Sequence, residues 1–232
     1  MMHTRLLHLC DSLFPIGSFA FSDGLEAAAA RHLIGDAEGL GAWLDTVLDE
    51  SVGRCEGPAV ALAWSAFDSG RWDRLAILDQ EVIALRAASA VRASTAAAGA
   101  RLLKTWHALY PEPRLAHMLT MVDAGALRPA LPVAFGAACA SVGREPSGDL
   151  EPIDACAAVE AFAYTRLAAT ISAAMRLIPL GQLDAHRLLA RALDRVPEIA
   201  VLAAGRDVES FAPAMDISQM THQYVHSRLF RS

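Results

Sequence analysis

Lysine is nearly missing from this chain of 232 residues: the 20 basic residues include one lysine, Lys104, so positive charge is carried almost wholly by guanidinium groups. Against them stand 26 acidic residues, for a formal net charge of −6. A general binder of phosphate backbones needs a basic face, so this balance argues against nucleic acid as a partner. Long apolar runs are missing too. The longest uncharged stretch in the middle of the chain, 129–143, holds two prolines and falls short of the roughly 20 apolar residues that cross a bilayer. The first eleven residues contain no continuous apolar stretch ending in a small-residue cleavage site, so a cytoplasmic protein is expected. Cysteine is sparse: Cys10, Cys55, Cys139 and Cys156 are scattered without a CxxC pair and read as free structural thiols. No phosphate loop, dinucleotide fingerprint, HExxH, GxSxG or EF-hand loop occurs, so the chain is not expected to hydrolyse nucleotides itself.

What is present is alanine, 47 residues of it, within a hydrophobic share of 54%. That share excludes intrinsic disorder. Alanine loses no side-chain entropy in a helix and lets helices approach closely, so a mostly β protein becomes improbable. The length and the lack of a long linker favour one domain over 1–232.

Periodicity and punctuation divide the chain into about nine or ten helical segments, an all-α single-domain bundle with a C-terminal tail over 211–232. The first clear helix spans 25–33 after a turn-rich opening. Asp36 caps a second, running to about Arg54, and Pro58 starts a third that ends at Ser69-Gly70. A long region over 72–109 has possible breaks at Ser89, Ser94 and Gly99, and Pro111 and Pro113 close it. Helices over 114–123 and 129–142 precede a short loop at 144–152. The strongest helix signal is 153–178, with Ile153, Cys156, Ala157, Tyr164, Leu167, Ile171 and Ile178 on one face. Further helices cover 182–195 and 197–204.

Four constellations invite a functional reading. Glu160 falls among the apolar positions of the long helix, where a carboxylate needs a partner such as Arg166 or Arg176. With Tyr164 and Arg176 it would form the internal cleft of a helical enzyme, the different-class alternative. His222 and His226, four apart, could present two imidazoles to a metal only on a helical tail, and two ligands do not close a site. The opening run Pro15-Ile-Gly-Ser-Phe-Ala-Phe-Ser-Asp-Gly-Leu-Glu26 contains an N-cap in Ser22 or Asp23 and a carboxylate, Glu26, suited to a helix's positive end. Phe19 and Phe21, two apart, share a side only in an extended strip, as a docking segment does. Finally Ser227-Arg-Leu-Phe-Arg-Ser232 joins arginines to Leu229 and Phe230, each worth roughly 1.5 to 3 kcal/mol on burial, so this end either folds back on its own core or orders on a partner.

The two ends, with Arg176-Leu-Ile-Pro-Leu-Gly-Gln182 between them and Phe211-Ala-Pro-Ala-Met-Asp216 before the last run, resemble the UreF family of urease accessory proteins over essentially the whole chain. The resemblance implies an all-helical, non-enzymatic protein that forms a homodimer and joins a UreD/UreH-type protein and the GTPase UreG in loading nickel into apo-urease. It implies no cofactor and no resident metal, with His222 at most a weak contact for passing nickel. Partner-binding candidates carried over by motif are Phe19, Ser22, Glu26 and His222, with Arg228, Leu229 and Phe230 in the tail. Phe19 stands where the family often has tyrosine, and Ala169 and Thr170 replace common polar amides. Two roles follow within this resemblance: an adaptor that couples GTP hydrolysis by UreG to nickel delivery, or a GTPase activator with Arg228 as an arginine finger.

Overall fold

The computed structural model describes residues 4–16, 21–143 and 152–230. Among them the regular structure is helical throughout. Asp36 caps α3 (Ala37–Thr46), its Oδ1 accepting from the Gly39 amide at 2.9 Å. The break expected at Pro58 is not there. From α3 the backbone passes through a π segment (Val47–Glu56) into α4 (Gly57–Asp68), with helical dihedrals at both joints. Pro58 has no N–H to give to the preceding turn, and the Arg54 carbonyl four residues back accepts instead from the Glu209 amide at 2.8 Å. The π register also brings residues five apart together, so Ser51 can donate to Glu56 at 3.1 Å.

The region 72–109 does break, and at Ser89: α5 (Trp72–Ala84) gives way to α6 (Ser89–Leu109). The Arg92 guanidinium holds the joint by donating to the Arg86 and Ala87 carbonyls. Glu112 caps α7 (Pro113–Asp123) by accepting from the Leu115 amide. Asp79 on α5 then accepts from the Arg128 and Ala130 amides at 2.8 and 2.7 Å, which fixes the entry to α8 (Leu131–Ser141). From Pro132 to Ser141 every residue of α8 is buried, the pattern of a helix enclosed on all sides. It crosses α4 so closely that a Cβ on Gly136 would lie 2.3 Å from the Val60 carbonyl oxygen.

Asp154 caps α9 (Ala155–Leu177), which spans the molecule and serves two cores. Its first half, with Val159 and Phe162, packs into the core built on α4 and α8. Its second half, with Leu167 and Ile171, packs into a core shared with α2 (Leu25–Ala30), α3, the π segment and α10 (Gln182–Leu193). The remaining helices are α1 (Thr4–Cys10), α11 (Val196–Ala204) and α12 (Pro213–Thr221), followed by a 3-10 turn at His222–Tyr224. The expected face of α9 needs one correction: Ile153, Leu167, Ile171 and Ile178 are buried, whereas Tyr164 is exposed. Burial pushes the Cys10 thiol up to about 12 and raises Cys55 and Cys139 as well, so these thiols are inert packing groups at neutral pH.

Candidate functional site

Asp23 and Gly24 both carry positive φ, 53° and 87°, and this left-handed pair turns the chain into α2. Gly24 is the N-cap and gives no side-chain cap; Ser22 Oγ accepts from the Glu26 amide at 3.4 Å, and Asp23 is left free to act elsewhere. A Cβ on Gly24 would come within 3.1 Å of the Gln219 amide nitrogen and of Ser218, so glycine answers two needs here: the φ and the close approach of α12.

Around this turn the C-terminal segment closes as a clasp. Glu26, buried in the first turn of α2, is its centre. His222 Nε2 lies 2.6 Å from Glu26 Oε2, the Leu229 amide donates to Oε1 at 2.5 Å, and the Phe230 amide donates to Oε2 at 3.3 Å. Bonds to a charged acceptor contribute about 1.5 to 3 kcal/mol each where they are well formed, which accounts for a buried carboxylate at this place. The Phe230 ring is buried, with the Arg176 guanidinium of α9 stacked 4.5 Å from its centroid. Alternation along the tail then decides the rest: Phe230 is 5% exposed and Leu229 60%. Arg228 is also exposed and makes no hydrogen bond or ion pair to a described residue. A shallow cavity of about 320 Å³ opens beside the clasp between Glu26, Ala30, Leu177, Val225 and Leu229.

Beneath the clasp runs a chain of paired charges, Glu56 buried and the others partly so, that the sequence alone does not reveal. Gln219 of α12 donates to Asp23 Oδ1 at 2.8 Å, and Asp23 Oδ2 is ion-paired to Arg166 of α9. Arg166 Nε donates to Glu56 Oε2 at 2.9 Å, and Arg86 donates to Glu56 Oε1 at 3.0 Å. Burial alone would raise the Asp23 carboxyl, but the Arg166 guanidinium beside it outweighs burial and holds it below its ordinary value. The same reasoning holds in reverse for Arg166, which burial would lower and which Asp23 and Glu56 raise. A basic residue between Ala163 and Leu167 was the available signal.

The structure therefore brings together Ser22, Glu26, His222, Leu229 and Phe230 and leaves Arg228 pointing outward. Phe19 lies outside the described residues. Three expectations are corrected. Glu160 is exposed rather than buried, and its proposed partner Arg166 is engaged by Asp23 and Glu56. Glu160, Tyr164 and Arg176 form no internal cleft, because the first two face solvent and the third covers Phe230. His222 and His226 do not share a helical face, since the 3-10 turn ends at Tyr224 and only His222 is buried. Thr170, one of the two departures noted on α9, simply donates to the Arg166 carbonyl at 2.9 Å. Among the described residues no group of three or more His, Cys, Asp or Glu side chains could hold a metal ion, and no helix is long and apolar enough to cross a membrane.

Residues 34–193 match the UreF family model, a stretch that contains the helical scaffold but neither α2 nor the tail. Curated relatives extend the similarity to both ends. The urease accessory protein UreF of Delftia acidovorans (strain DSM 14801 / SPH-1) is 34% identical, with 98% of this chain and 95% of the relative covered. That of Dechloromonas aromatica (strain RCB) is 31% identical over 98% and 96%, and that of Rhodopseudomonas palustris (strain HaA2) 32% over 98% and 92%. With residues 34–193 matched by the family model and relatives more than 30% identical covering 98% of the chain, this chain belongs to the UreF family of urease accessory proteins.

Proposed function

We propose that the chain is a non-enzymatic adaptor of urease maturation, bridging a UreD/UreH-type protein and the GTPase UreG so that GTP hydrolysis is coupled to nickel delivery into apo-urease. One observation carries this reading. Arg228, exposed and without an ion pair to any described residue, is anchored by the residues that follow it: the next two amides are fixed on Glu26, and the Phe230 ring lies under Arg176. A guanidinium presented in this way, beside the exposed Leu229, offers a partner forked donors and an apolar anchor at little further cost in ordering. Residues 211–232 are in this reading the partner-binding tail, and Ser22, Glu26 and His222 support its surface from beneath. Nickel is cargo in the complex rather than a resident ion. A cytoplasmic homodimer is part of the same reading, as the family resemblance implies.

The test is co-purification of the full-length chain with its two partners. Wild type retains both, whereas Arg228→Ala keeps the UreD/UreH-type protein and loses UreG. Retention of neither partner by the wild-type chain at micromolar concentration overturns the adaptor. The free guanidinium also suits an arginine finger, and that second reading is favoured if Arg228→Ala still binds UreG but no longer stimulates its GTP hydrolysis.

A further inference from the structure

Beside the apolar core that α2, α9, α12 and the π segment share, a row of charges under the tail links five elements directly. Gln219 belongs to α12, Asp23 to the turn before α2, Arg166 to α9, Glu56 to the π segment and Arg86 to the joint between α5 and α6. Signs alternate along the row, so each charge is stabilised by its neighbours and none can move without leaving another buried and unpaired. At each end of the row one buried atom lacks a partner among the described residues: Gln219 Oε1 and Arg86 Nε. Glu56 terminates a ten-residue π segment, a rare element found frequently at functional sites.

We propose that the docked tail and the π segment form one conformational device, coupled through the row Gln219–Asp23–Arg166–Glu56–Arg86, so that loosening either loosens the other. With the tail seated, Gln219 of α12 donates to Asp23 and leaves its side chain 25% exposed; with the tail lifted, Asp23 loses that donor and gains water, its pair with Arg166 weakens, and Glu56 loses its hold on the π segment. The lowered Asp23 value is consistent with a pair that is already strong in the closed state. A partner that engages the tail thereby alters the rigidity of the molecule's longest helical run. This device belongs to the isolated chain and does not depend on which partner binds.

Hydrogen exchange on the full-length chain tests it from both ends. Asp23→Asn keeps a side chain that tolerates positive φ while cutting the ion pair. Amides of α12 and of 47–56 should then both exchange at least about tenfold faster, with α8 unchanged. Glu56→Gln has no hydrogen bond or ion pair to α12, so faster exchange across 213–221 in that variant is the distinctive result. Other links, the Glu209 amide on the Arg54 carbonyl and the apolar core that holds Met215 with Leu48 and Val52, are untouched by these substitutions. Unchanged protection of α12 in Glu56→Gln, or of the π segment in Asp23→Asn, overturns the coupling. Should α8 exchange faster by the same factor, Ser51→Ala removes only the hydroxyl that donates to Glu56; faster exchange of α12 in that variant supports the coupling, and unchanged exchange overturns it.

Discussion

Two close approaches of helices, each made possible by a glycine, hold the molecule in opposite ways. At the α4–α8 crossing Gly136 meets the Val60 carbonyl and Ala63, within the core of the first half of α9. At the α2–α12 contact Gly24 meets Ser218 and the Gln219 backbone, and beside the buried Met215 and Phe230 the pieces are joined by directional polar bonds: Gln219 on Asp23, His222 and two tail amides on Glu26. Apolar contact without gaps is cooperative, since any displacement opens a void for all its members. Directional bonds to buried carboxylates are released one at a time, and each release can be compensated by a partner's donor or by water. The first contact therefore makes a scaffold and the second a closure that can be opened.

The largest effect should come from filling the scaffold crossing. Gly136→Leu places side-chain atoms where the Val60 carbonyl lies and should destabilise the chain by about 3 kcal/mol or more, read as a lower midpoint of urea unfolding. An unchanged midpoint would show that the crossing is not tight. A smaller and more local loss is expected at the clasp. His222→Leu leaves the buried Glu26 short of one donor and should cost about 1 to 3 kcal/mol. It should appear as protease cleavage within 211–230 while α8 keeps its exchange protection; cleavage of the scaffold at the same rate would remove the distinction between the two regions.

The smallest effect is a difference in pH dependence between two aspartates, the partly buried Asp23 and the buried Asp79, one in each region. Asp23 faces Arg166 and its carboxyl is lowered from 3.8, so its contribution to stability is full above 3.8 and is lost as pH falls through the lower folded value. Asp79 accepts from two amides, and burial outweighs them and raises it above 3.8. Its contribution is full below 3.8 and is lost as pH rises through the higher folded value. Asp23→Asn should flatten the acid-side fall in the urea midpoint, and Asp79→Asn should steepen it. Slopes that change in the same direction for both variants would break the comparison.

The helices were legible wherever a local signal sufficed. Asp36 caps as its position suggests, and Ser89 marks the break in the region 72–109, whereas the long helix begins two residues later than expected, behind Asp154 as its cap. Pro58 misled because a proline's missing donor can be absorbed when a distant amide, here that of Glu209, takes the orphaned carbonyl. In the site, Ser22 and Glu26 stood out because such residues before a helix have few other uses, and the apolar-basic end suggested a docking tail. Asp23, Arg166, Glu56 and Arg86 did not stand out, because a charged residue in an amphipathic helix looks the same in sequence whether it faces water or a partner from another helix. Glu160 and Arg166 are six apart on α9, and only the neighbouring elements determine that the second is paired and largely covered while the first faces solvent.

By itself the sequence determined a helical, alanine-rich, non-membrane-spanning scaffold with two unusual ends, because helix propensity, capping and apolar spacing act over a few residues and are written locally. Only the tertiary structure decided that the ends meet: Glu26 finds His222, Leu229 and Phe230 from about two hundred positions away, and Arg166 finds Asp23 and Glu56 on separate elements. Burial of a charge is affordable only where an opposite charge or a donor arrives from elsewhere in the chain, and that arrival is a property of packing rather than of any local pattern.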